Sequence, residues 1–77
     1  MKLNRTTLRS VEILKLVAKK PEGITLDELC QALELPKTSA YDIITTLVET
    51  GMLHVDRGQK QSYTIGLTAY RIGVSYT

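Results

Sequence analysis

Residues Thr25–Gly51 read TLDELCQALELPKTSAYDIITTLVETG, two apolar stripes of helical period separated by Glu34, Leu35 and Pro36. In the first stripe Leu26, Leu29, Cys30 and Leu33 share one face, and Thr25 stands three residues before Glu28, the spacing of a capping box. In the second, Ala40, Ile43, Ile44, Leu47 and Val48 follow the i, i+3, i+4, i+7, i+8 pattern of a helix with one buried side, and Gly51 is placed to cap its end. Two helices joined by so tight a turn suggest a helix-turn-helix, in which one helix braces a DNA backbone and the exposed start of the next reaches base edges. Lys37, Thr38, Ser39, Tyr41, Asp42 and Thr45 all fall off the apolar stripe and are the candidates for that contact. Short hydroxyl side chains permit close approach and can donate to phosphate; a merely solvated first turn is the plain alternative.

Upstream, Thr6 to Lys20 carries Val11, Ile13, Leu14, Val17 and Ala18 as a broad helical stripe, with Thr6 or Thr7 as the expected N-cap. Pro21, Glu22 and Gly23 end it. Leu8 and Leu16 fall outside the core arc, and a helix apolar on two sides usually has two neighbours. They are therefore candidates for contact with a second neighbour, against the alternative of ordinary exposed leucines. Downstream the period drops to two: Leu53, Val55, Tyr63 and Ile65 alternate with polar residues around the turn segment Asp56 to Gln61, which predicts a β-hairpin. Thr68 is the expected cap of a last helix lined by Ala69, Ile72, Gly73 and Tyr76, and the sequence stops about two turns into it. The fold class expected is mainly α with a small β-hairpin, a winged helix-turn-helix made of a three-helix core and a two-stranded wing.

The chemistry available is narrow. A chain of 77 residues holds one domain, and its 43% apolar and 23% charged residues describe a chain that folds. One His and one Cys form no catalytic or metal-binding constellation. Cys30 lies on an apolar stripe and reads as packing, His54 stands alone in a strand, and Gly58 marks a hairpin turn rather than a phosphate loop. Neither zinc-finger nor P-loop spacing occurs, so no catalytic residues, no metal and no cofactor are expected. No apolar run approaches the roughly 18 residues of a membrane span, and no signal peptide opens the chain, which points to the cytoplasm and away from a membrane partner. The net charge of +2 permits nucleic-acid binding without demanding it. Distribution is more telling: Arg57 and Lys60 sit at the wing tip, Lys2, Arg5 and Arg9 form a basic N-terminal arm, and Lys37 opens the second helix of the motif.

These segments resemble the winged helix-turn-helix domain of IclR-type bacterial transcriptional regulators. The resemblance is carried by RSVEILKLV (Arg9–Val17), by ITLDELCQALELPKTSAYDIITTLVETGML (Ile24–Leu53) and by YTIGL (Tyr63–Leu67). It implies a motif over about 24–44, a wing over about 52–66, a domain over 1–67, and in 68–77 the start of a helix leading to an effector-binding domain not contained in these residues. It further implies double-stranded DNA as partner, a homo-oligomer reading pseudo-palindromes in the full-length protein with Leu8 and Leu16 at the subunit contact, and a small-molecule effector bound elsewhere. Thr38, Ser39 and Tyr41 would then face DNA, with Thr25 at a phosphate. One departure stands out: the family pattern Thr-Val-His-Arg-Leu-Leu corresponds here to Ser39, Ala40, Tyr41, Asp42, Ile43 and Ile44. A carboxylate repels phosphate and can accept from a cytosine amino group, so Asp42 is expected either to do that or to pair with a nearby Arg or Lys. The modest net charge and Asp42 keep one alternative open, a winged helix that binds a protein partner and never touches DNA.

Overall fold

The computed structural model describes residues 1–76. The order is α1 (Arg5–Ala18), α2 (Leu26–Leu33), α3 (Lys37–Glu49), β1 (Leu53–Asp56), β2 (Ser62–Ile65) and α4 (Leu67–Val74), a winged helix-turn-helix. α1 begins two or three residues earlier than expected: Asn4, not Thr6 or Thr7, is the N-cap, and its Oδ1 accepts from the Thr7 amide at 2.9 Å. Ile13 and Val17 are its fully buried residues. At 3.6 residues per turn Leu16 lies about 80° from their centreline, close enough to touch the core, while Leu8 lies on the opposite side. Leu16 accordingly packs against the buried cluster, which corrects its placement outside the core arc, and Leu8 is 42% exposed. Val11 and Ala18, expected in the core stripe, are exposed for the same angular reason.

The capping box at α2 is complete. The Thr25 amide donates to Glu28 Oε1 at 2.9 Å, and the Glu28 amide donates to Thr25 Oγ1 at 3.2 Å. α2 stops because Glu34 turns left-handed at φ 53°, which lets the Leu35 amide donate back to the Cys30 carbonyl at 3.0 Å. Pro36 then fixes the entry into α3. α3 ends in a Schellman motif whose left-handed residue is Gly51, φ 80°, one past the C-cap Thr50; Gly51 donates to Val48 and Met52 to Leu47.

The core joins Ile13 and Val17 of α1, Leu29 of α2, and Ala40, Ile44 and Leu47 of α3 to Ile24, Leu53 and Tyr63. Burying each large side chain contributes about 1.5–3 kcal/mol. Cys30 is half-buried and packs against this cluster. The wing pairs antiparallel with Leu53 opposite Ile65 and Val55 opposite Tyr63. Its inner anchor is unforeseen in the sequence: Ile24, between α1 and α2, exchanges two backbone hydrogen bonds with Tyr63, at 3.1 and 2.8 Å, and ties the wing to the start of the motif.

α4 is capped at Gly66, not at Thr68, which falls in the first helical turn. Gly66 is buried so tightly that a Cβ there would overlap the Gly51 carbonyl and stand 2.9 Å from the Leu53 carbonyl carbon. Ala69 is half-buried, but Ile72, Gly73 and Tyr76 are exposed, contrary to the face expected for them. The reason is geometric, since α4 packs against β1 near its start and then runs past the core.

Candidate nucleic-acid interface

Pro36 has no side chain able to cap α3, so no side chain bonds the first amides of Lys37, Thr38 and Ser39. Lys37 and Thr38 are exposed and Ser39 is half-buried. Tyr41, 52% exposed, is the hub of the surface. It lines one depression with Thr25, Leu26, Asp27 and Lys60, a second with Thr45, Glu49, Val55 and Arg57, and a third with Leu26, Lys37, Thr38 and Asp42. The start of α2, the outer face of α3 and the wing are thereby brought together around one aromatic ring. Thr45 lies on this face, but its hydroxyl donates to the Tyr41 carbonyl at 2.7 Å, leaving only its lone pairs for a ligand. Thr25 is similarly committed: its hydroxyl donates to Glu28 at 3.1 Å inside the capping box.

Charge on this surface is mixed. Lys37 Nζ stands 2.7 Å from Asp27 Oδ1, the one salt bridge among the described residues. Hydrogen bonding to Asp27, reinforced by its charge, raises the Lys37 pKa above the ordinary lysine value. Asp42 makes no ion pair among the described residues, which corrects the expectation that it pairs with an Arg or Lys; the pairing falls instead to Asp27, a residue the sequence reading passed over. Asp42 rims both the Lys37 depression and a groove between α3 and the start of α1, lined by Thr6, Ser10, Ile43 and Thr46. Arg5 opens α1 beside that groove. Arg57 and Lys60 are exposed and take part in no salt bridge among the described residues, while Asp56 Oδ1 shapes the tip by accepting from the Gly58 amide at 3.1 Å. The described residues hold no cluster of three or more His, Cys, Asp or Glu suited to a metal.

A helix-turn-helix flanked by a cationic wing has counterparts. Residues 6–57 match the IclR helix-turn-helix domain model, more than half of the chain. This chain belongs to the IclR family. It is 34% identical, over 91% of its length, to the HTH-type transcriptional regulator KipR of Bacillus subtilis, and 32% identical over 88% to the HTH-type transcriptional regulator BhcR of Paracoccus denitrificans. It spans about a quarter of each, 27% and 24% respectively. Among solved structures, the repressor BlcR of Agobacterium tumefaciens superposes with a TM-score of 0.76 at 31% identity over 91% of this chain and 27% of that one. An IclR regulator from Alicyclobacillus acidocaldarius shares the fold at TM-score 0.84 and 22% identity, over 95% of this chain and 29% of that one. The chain is thus an IclR-type helix-turn-helix DNA-binding domain, and a winged helix that binds only protein has no support among these relatives.

Proposed function

We propose that this IclR domain binds duplex DNA sequence-specifically, with α3 in the major groove and the wing against the neighbouring backbone. The observation that carries this is the convergence of α3, the start of α2 and the wing on Tyr41. Lys37, Thr38, Ser39, Tyr41 and Thr45 form the base-facing side, with Asp42 beside them toward the backbone; Thr25, Arg57, Lys60 and, from the first turn of α1, Arg5 face phosphates.

The domain works by binding rather than by catalysis, as part of a longer regulator. Residues 1–67 form the DNA-binding unit and 68–77 begin the connection onward; Thr77 itself lies outside the described residues. In the whole protein a second domain binds a small-molecule effector, two or more copies assemble through contacts that include Leu8, and the regulator acts in the cytoplasm. No helix of the described residues is long and apolar enough to cross a membrane. Selection of bound sequences from random duplex DNA, followed by affinity measurement on the selected site, tests the reading: a recovered motif supports it, and recovery of unenriched sequence overturns sequence specificity.

A further inference from the structure

We infer that Asp27 is a specificity-determining residue of this domain: by holding the Lys37 ammonium it withdraws that cation from sequence-independent phosphate binding and reserves it for a base edge. The inference rests on the DNA-binding reading above and names a residue outside the contact set that reading assigns.

Three observations carry it. Lys37 is the first residue of α3, where side chains meet the groove, and its 2.7 Å partner Asp27 lies in the first turn of α2, on the same surface. Both side chains are mostly exposed, at 64% and 75%, so the pair contributes little to stability and its charge balance is what a ligand meets. Arg57 and Lys60, by contrast, present cations with no ionic partner among the described residues.

The consequence follows from charge. A phosphate that reaches Lys37 must also approach the Asp27 carboxylate, and the two full negative charges repel. The O6 and N7 acceptors of guanine belong to a neutral base, so that repulsion is absent. An ammonium has three hydrogens; Lys37 can keep one on Asp27 and donate another to a guanine edge. The pair therefore tolerates a base and penalises a backbone.

The test compares the wild-type chain with Asp27→Asn, Lys37→Met, the double variant and Lys60→Met, on a selected duplex and a scrambled one of equal length, by fluorescence anisotropy across a salt series. Asp27→Asn is expected to tighten scrambled DNA about 3- to 10-fold at low salt and to steepen its log–log salt slope by about 0.9, with a smaller gain on the selected site. Lys60→Met lowers the slope by about 0.9 in either background, whereas Lys37→Met does so only when Asp27 is already Asn. Asp27→Ser repeats the charge loss with a residue favoured at helix starts, and circular dichroism checks that α2 is retained in both. Equal tightening of both duplexes by Asp27→Asn, or a full slope loss from Lys37→Met alone, overturns the inference while leaving DNA binding intact. A wild-type chain that binds no duplex overturns the DNA reading and the inference with it.

Discussion

At the scale of single residues, Tyr41 and Asp42 are neighbours with different prospects. Tyr41 offers a half-exposed ring where three elements meet, and an aromatic side chain there can contact a thymine methyl or a sugar while its hydroxyl donates. Replacing it by Ala is expected to lower affinity for the selected site by about 1–3 kcal/mol while changing scrambled DNA far less. Phe at this position separates ring from hydroxyl, and equal losses on both duplexes from either change would remove Tyr41 from base readout. Asp42 is short, exposed and without an ionic partner among the described residues, and it sits between the Lys37 depression and the α1 groove. In the proposed complex its charge acts mainly on the backbone. Asp42→Ala is expected to tighten binding on all sequences, more at low salt, whereas loss of preference at one base pair would assign it to an exocyclic amino group instead. Arg at position 42 should tighten scrambled DNA further.

At the scale of elements, the turn and the caps decide how firmly this surface is held. Glu34 adopts the left-handed region at a cost of about 1 kcal/mol that Gly would not bear. Glu34→Gly is expected to raise Tm by about 4–8 °C without altering DNA affinity. Gly66→Ala must displace the Gly51 and Leu53 backbone, and an unfolding midpoint lower by the equivalent of about 3 kcal/mol is expected in denaturant titration. The α2 cap adds a pH signature. Hydrogen bonds from the Thr25 amide, then its hydroxyl, hold the Glu28 carboxyl below its ordinary value, so the native state favours the carboxylate. That contribution is present above about pH 4.5 and lost as pH falls through the lowered pKa. Glu28→Ala, which removes the carboxylate, should lower Tm at neutral pH and lower it less near pH 3. These elements were legible in the sequence wherever a local rule sufficed: the capping box, the two stripes and the alternation of the hairpin each need only a few consecutive residues. Leu16 was misplaced because the width of the buried arc depends on how many elements surround α1. The exposed end of α4 and the wing tie at Ile24 escaped for a related reason, since each depends on where a distant segment ends. Asp27 was invisible as Lys37's partner because the turn at Glu34, not sequence spacing, brings them together.

At the scale of the whole molecule, net charge matters less than which charges are free. With Lys37 engaged by Asp27, phosphate binding in the proposed complex falls to Arg57, Lys60 and Arg5, and three such contacts give an expected log–log salt slope of about −2.7. A slope near zero with retained affinity would move the interface elsewhere. The same distinction between apparent and free surface governs assembly. Leu16 is half-buried against the core, so Leu16→Glu sets an unpaired charge against apolar neighbours and is expected to lower the Tm of the isolated domain. Leu8 projects from the opposite side of α1, 42% exposed, and a charge there meets water in the monomer. Leu8→Glu should therefore leave the thermal melt of the isolated domain within about 0.5 kcal/mol of wild type. In the longer regulator of which this domain is proposed to be part, the same change should weaken binding to a site with two half-sites more than binding to one half-site, because only the former needs the second copy. If Leu8→Glu affects both duplexes equally, α1 contributes no subunit contact through Leu8, and assembly must arise through other surfaces.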